Sequence, residues 1–504
     1  MLLKKIAAIL IIAAMIVLAF AACGSENEEL QRDLSAESGD NNEDAAGSDE
    51  PEEEQRILPD LDPDTDWGGH VFKVMTNDWD GNGDWQDWRP RDIWVESETG
   101  SPLNDSVYTR NAILEARYNF TVEQVISRGD NAVSDTRRAV SAGDANFDAV
   151  SPTMNGTIEL AQAGFLTDLH TVPNIDLAKP WWDQGANYGM SIGGRLFLTS
   201  GDFVLVNRDA CPGVLFNKQL LADLALDDPY ALVRANEWTL PKFYEMIRVG
   251  GVDINGDGEM TWESDRYGLI AQRDSVVAFL HGGGGRFTTK DSDDIPEWIF
   301  GSERNFSVME AVFDVMLNPD ALNLHRIPDP IYPKSEAMFQ ENRGLFMWVR
   351  LRIVENLRGM ETDFGILPMP KFDSAQPDYH HTVNRHTGHA MAVPKFHDDD
   401  GLERAGFMLE AVAAESRYTV IPAYYTVQLS TQIARDEESS EMLDIIFSTT
   451  VWDTGEIYDW GGFSWTLLQM IDSEDRNLAS RLERSETQID RTMQRTIDRY
   501  LEID

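Results

Sequence analysis

Apolar and polar positions along the chain switch between two periods. His70–Asn77 (HVFKVMTN) alternates every second residue, as a half-buried strand does, and Leu103, Val107, Ile113, Leu114 and Tyr118 then recur at helical spacing. Phe120–Ile126 returns to the strand period and Ser134–Ala142 to the helical one. Phe147–Ser151 (FDAVS) is a short apolar strand, and Ile158–Leu166 is again a helix. Strands alternating with helices predict a mainly parallel sheet covered on both faces, because a parallel connection needs a crossover long enough to hold a helix. The pattern restarts after Gly201, with strands over Val214–Asn217 and Tyr267–Ala271 and helices from Lys218, over Thr239–Val249 and through Ser275–His281. Two such modules predict an α/β chain of two lobes with a ligand cleft at the carboxyl ends of the strands.

The chain begins differently. Lys4 and Lys5 precede an apolar run from Ile6 to Ala22, and the small residues Ala21 and Ala22 stand directly before Cys23. This resembles a bacterial lipoprotein signal peptide over residues 1–22, which predicts cleavage before Cys23 and a lipid on its thiol. Residues 23–65 are mostly Ser, Glu, Asp, Asn and Gly, too poor in apolar area to offset the entropy of ordering, and predict an acidic disordered tether.

With 42 Lys and Arg against 87 Asp and Glu, the formal charge is -45, which repels phosphate backbones and excludes a nucleic-acid partner. The two cysteines, Cys23 and Cys211, cannot build a disulfide framework, and Cys211 beside Pro212 reads as a buried thiol.

Several stretches carry a family resemblance. In order they are FDAVSPT, AGFLTDL, PGVLFNKQLLADLAL, EWTLPKFYEMI, AMFQENRGLFMW, DFGILPMPKF and GHAMAVPKF, behind the lipoprotein leader. From about residue 65 onward the chain resembles the family 1 extracellular solute-binding proteins of carbohydrate ABC transporters and is similar to maltose-binding protein. The resemblance implies a periplasmic-binding-protein-like fold of type II, a Venus flytrap whose lobes close about a hinge. The implied N-lobe is 66–200 with part of 388–440, and the C-lobe is 205–386 with part of 441–504. The crossings fall near Leu198–Val206 and His386–Val393. It also implies a monomer outside the cytoplasm, held to a bacterial membrane by lipid. Such a protein captures a sugar or oligosaccharide and delivers it to ABC permease subunits, and it is not an enzyme. A surface glycan-binding or sensory protein and a secreted glycan-active enzyme are the alternatives.

A pyranose presents hydroxyls at its rim and C–H patches on its faces, so a site for it needs aromatic platforms ringed by directional polar groups. Fourteen tryptophans meet the first need. The resemblance places a ligand loop after the first strand, where Asn77, Asp78, Trp79, Asp80, Trp85 and Trp88 alternate polar and aromatic character. By position it adds Ser151, Thr153, Asp202, Gln272, Arg273, Trp348, Arg350, Tyr425 and Trp460, with Tyr424, Tyr425, Trp460 and Phe463 in loop-like stretches.

The sharpest local motif is Asp253-Ile-Asn255-Gly-Asp257-Gly258-Glu259, which alternates oxygen side chains and puts glycine at the tight sixth place, as a calcium loop does. Ser264 stands at the twelfth place, so the closing carboxylate is assigned to Asp265, and a structural Ca²⁺ ion is expected. His380, His381, His386 and His389 lack helical metal-ligand spacing and are expected to be solvated loop residues.

Overall fold

The structure is a computed structural model that describes residues 56–78, 87–128, 131–144, 146–395, 398–430 and 437–503. The chain divides into Met1–Ile57 and Leu58–Asp504. Cys23, the signal peptide and residues 23–55 of the tether lie outside the described residues, as do Trp79, Asp80 and Trp85. Among the described residues, no helix is long and apolar enough to cross a membrane.

The second unit has two main sheets. The first is three-stranded and parallel, in the order β2 (Phe120–Arg128), β1 (His70–Asp78), β3 (Ala149–Ser151). The helix Pro102–Tyr118 makes the crossover from β1 to β2, with proline in its first turn and Asn119 in left-handed geometry (φ 54°) at its end. The returning segment around His389–Pro394 adds antiparallel bridges to β3 and to Thr199, so a late part of the chain extends this sheet.

The second sheet contains β4 (Pro212–Asn217), β5 (Tyr267–Ala271), β8 (Ala321–Asn323), β9 (Gly344–Arg350) and β10 (Phe364–Leu367), after the small hairpin β6 (Thr288–Lys290) and β7 (Pro296–Trp298). Its order is β10-β4-β9-β5-β8. The expectation of parallel pairing holds for β9-β5-β8, whereas β4 runs antiparallel to both β9 and β10. Every residue of β4, β5 and β9 is buried, as apolar strands covered on both faces must be.

The helix Asp399–Ser430 packs on Pro102–Tyr118, and Glu437–Ser448 packs on β10. The short β11 (His381–Thr382) and β12 (Thr450–Val451) pair in parallel. The helix Thr454–Tyr458 then packs on Met154–Gln162, Phe463–Asp472 on Ser275–Gly282, and Leu478–Glu502 on both Met154–Gln162 and Phe463–Asp472.

Three expectations are corrected. The helix placed at Ile158–Leu166 runs instead over Met154–Gln162, because Thr153 takes the N-cap position and Gly164 (φ 77°) follows its end. Tyr424 and Tyr425 lie inside the long helix despite Pro422, where Val420, Tyr424 and Val427 bury an apolar stripe against Leu103 and Val107. The histidine cluster is solvated only in part: His386 is exposed and His380 half-buried, whereas His381 and His389 are buried, with His381 hydrogen-bonded to Met369 and Thr449 and His389 to the Ser151 carbonyl. Burial pushes His381 down to about 3 and His389 to about 4, so both are neutral structural groups.

Candidate ligand cleft

β5 and β9 run parallel, so their carboxyl ends share one edge of the second sheet, the place where open α/β sheets bind ligands. β9 ends in Trp348 and Arg350, and β5 leads through Gln272 and Arg273 to Asp274, which opens the helix Ser275–Gly282. Pro212 at the start of the antiparallel β4 pairs with Arg350. A narrow cleft of about 40 Å³ opens at this edge, lined also by Thr382, Asn384, Arg385, His386, Glu456, Ser464 and Trp465.

Arg350 is buried and bonded to Asp274, and its guanidinium lies 5.9 Å from the Trp88 ring and 5.5 Å from the Trp348 ring. Arg385 donates to the Glu456 carbonyl (3.2 Å) and to Asp459 (2.7 Å). His386 Nδ1 pairs with the Asn155 amide at 2.7 Å, and burial, with Arg385 and Arg350 nearby, pushes its pKa down to about 4. Trp465 is 46% exposed, and the Arg273 guanidinium lies 4.8 Å from its ring while bonded to Asp472 at 2.7 Å.

Five buried polar atoms that line this cleft have no hydrogen-bond partner among the described residues: Trp348 Nε1, Arg350 Nε, Asp274 Oδ1, Glu456 Oε2 and Ser464 Oγ. A buried polar atom left unpaired costs about 1–3 kcal/mol, so a protein rarely gathers several in one place unless something else satisfies them. Two are donors, two are carboxyl oxygens and one is a hydroxyl, beside an open indole face. A molecule that both donates and accepts hydrogen bonds and has an apolar face would satisfy the set.

The structure brings Trp348 and Arg350 into the cleft, with Trp88 against Arg350. Gln272, buried, accepts from Tyr332 (3.4 Å). Asn77 is buried at the end of β1, and Asp78 lies 3.7 Å from Arg89. Ser151 and Thr153 end β3 against His389. Asp202 is buried between Arg208 (3.1 Å) and Arg417 (3.0 Å). Tyr425 packs on Phe447 inside the helical layer. Trp460, only 1% exposed, stacks on Tyr458, donates to Thr496 (3.0 Å) and lines a separate cavity beside the C-terminal helix. Sequence reasoning missed Asp274, Arg385, Glu456, Ser464 and Trp465. The aromatic run around DWGGF was a signal that stopped two residues short of Trp465.

The loop from Asp253 closes on itself. Asp253 accepts from the amides of Gly256 and Gly258 (both 2.7 Å), Asn255 from Asp257 (2.9 Å) and Asp257 from Glu259 (2.8 Å), with Gly256 and Gly258 at positive φ. Asp265 accepts from the amides of Ile254 (2.9 Å) and Thr261 (2.7 Å), which hold its carboxyl below the usual range. Among the described residues, no group of three or more His, Cys, Asp or Glu side chains converges to hold a metal ion.

No family model and no curated protein matches the chain. Solved structures do. An ABC substrate-binding protein from Listeria monocytogenes, in complex with cycloalternan, aligns with a TM-score of 0.52 at 11% identity over 84% of this chain and 99% of its own. UspC from M. tuberculosis aligns with a TM-score of 0.53 at 13% identity over 84% and 100%. A cyclo/maltodextrin-binding protein complexed with maltotetraose aligns with a TM-score of 0.53 at 11% identity over 86% and 97%. The fold is therefore that of the two-lobed, periplasmic-binding-protein-like solute-binding proteins.

Proposed function

We propose that this chain is the solute-binding component of an ABC importer, and that it captures an extracellular sugar or oligosaccharide in the cleft at the ends of β5 and β9. The observation that carries this reading is the group of five unpartnered buried polar atoms beside the exposed face of Trp465. The fold adds to it, since the Listeria protein holds cycloalternan and the cyclo/maltodextrin-binding protein holds maltotetraose. In this reading the ligand binds one lobe first, and the hinge segments near Leu198–Val206 and His386–Val393 let the other lobe add contacts. Closure follows only because the ligand binds the closed form more tightly than the open one.

Delivery to permease subunits, action as a monomer and anchoring through a lipidated Cys23 belong to the same proposal. So does a structural calcium ion in the 253–265 loop: a melting temperature raised by Ca²⁺ after chelation would support it, and an unchanged one would remove it. The experiment for the main reading is tryptophan fluorescence and small-angle scattering of the purified chain with glucose, maltose and maltotetraose. Saturable emission change with compaction, and no loss of sugar after long incubation, supports a binding protein. Consumption of the sugar would favour the enzyme alternative instead.

A further inference from the structure

Of the two carboxyl groups with a spare oxygen in the cleft, Asp274 is bonded to Arg350, but Glu456 Oε2 has no hydrogen-bond partner among the described residues. Glu456 is buried, and Arg385 beside it is committed to the Glu456 backbone carbonyl (3.2 Å) and to Asp459 (2.7 Å). Its own short helix is flanked by two more acids, Asp453 and Asp459. The elements packed on that helix bring Glu159, paired with Arg137, from Met154–Gln162, Asp183 at the start of Gln184–Met190, and Glu297 in β7. His386 lines the same cleft and is neutral. The charged side chains at the cleft are already matched, Arg350 to Asp274 and Arg385 to Asp459, so what remains is a balanced set of donors and acceptors.

Resting on the functional reading above, we propose that Glu456 is the specificity-determining residue of the cleft. Its buried carboxyl, with an oxygen that has no hydrogen-bond partner among the described residues, selects an uncharged ligand with adjacent hydroxyls, and the paired guanidiniums leave no cation for a carboxylate or a phosphate. A ligand hydroxyl both accepts from Trp348 Nε1 or Arg350 Nε and donates to Asp274 Oδ1, which an ammonium group cannot do. An anion would find both guanidiniums already occupied by Asp274 and Asp459. Burial is the main force on the Glu456 carboxyl and pushes it up to about 8, so at neutral pH it offers a proton to the ligand as well as a lone pair.

The test has one arm that needs no ligand. An infrared difference spectrum, wild type minus Glu456→Gln, is expected to contain a protonated-carboxyl band at about pH 7 that disappears as the pH passes about 8. The second arm is calorimetric titration of the full chain with glucose, maltose, maltotetraose, glucuronic acid and glucosamine. A neutral sugar is expected to bind at least about tenfold more tightly than glucuronic acid or glucosamine. The wild-type affinity should fall about tenfold per unit of pH above the carboxyl pKa, and Glu456→Gln should abolish that dependence. Glu456→Ala should weaken binding by about tenfold or more. A missing infrared band, or equal binding of the charged sugars, overturns this inference and leaves the functional reading intact. Binding of none of the probes overturns both.

Discussion

Arg91 donates twice to Asp209, at 3.0 and 2.9 Å, and so ties the segment that follows β1 to the first crossing between the sheets. Arg352, just past β9, reaches the same carboxylate at 2.7 Å, and Tyr424 of the long helix at 3.2 Å. One buried acid thus joins four separated parts of the chain.

Removing that acid leaves two guanidiniums without their main partner. Asp209→Ala is expected to destabilise the fold by about 3 kcal/mol, as breaking a buried pair from one side does. Urea unfolding would measure it, and a loss below about 1 kcal/mol would mean the fold does not depend on the cluster.

Trp465 separates binding from folding. Its side chain is 46% exposed, so Trp465→Ala should change stability by less than about 0.5 kcal/mol. Loss of the indole platform should weaken sugar binding about tenfold. Titration calorimetry on a variant with unchanged melting would decide whether the cleft uses this face.

Glu410 should stabilise the fold less as the pH rises toward neutrality. Burial pushes Glu410, only 1% exposed, up to about 7, although Trp182 Nε1 donates to it at 2.8 Å. The folded protein therefore keeps a proton on Glu410 at pH values where the unfolded chain has released it. The stabilisation is complete below the unfolded carboxyl pKa and is lost as the pH climbs toward about 7. The loss is on the order of 3 kcal/mol, and Glu410→Gln should remove this part of the pH dependence, read from urea melts across the range.

Asp265→Ala should lower the melting temperature even with chelator present. It removes the acceptor of the Ile254 and Thr261 amides, which close the loop without any ion. Calorimetry in EDTA would show equal melting of variant and wild type if the loop depended on calcium alone.

Cys211 should resist thiol reagents in the folded protein. It is 2% exposed, and burial pushes its thiol up to about 12, so the reactive thiolate is absent near neutrality. Peptide mass spectrometry should find Cys211 labelled only after unfolding.

Much of the architecture was legible because periodicity is local. His70–Asn77 was legible as a strand from its alternation, although burial follows that alternation only at its start and Val74, Met75, Thr76 and Asn77 are all buried. Trp348 and Arg350 were legible for a related reason, since a strand that ends in a bulky aromatic and a cation delivers both to the sheet edge. Tyr424 and Tyr425 were misread as loop because Pro422 signals a break, and packing against Pro102–Tyr118 overrode it. The direction of β4 was invisible, because whether a strand pairs parallel or antiparallel depends on how the chain returns, not on its own residues.

By itself the sequence determined the two α/β modules, the acidic composition of the segment after the leader and the positions where strands must end, since each follows from neighbours a few residues apart. Only the tertiary structure decided which polar groups meet without partners. Glu456, Asp274 and Arg350 come from distant parts of the chain, and no local spacing encodes their shared cleft. Their protonation, pairing and burial are set by the low-dielectric surroundings that the whole fold creates, and a sequence read in order does not contain those surroundings until it is folded.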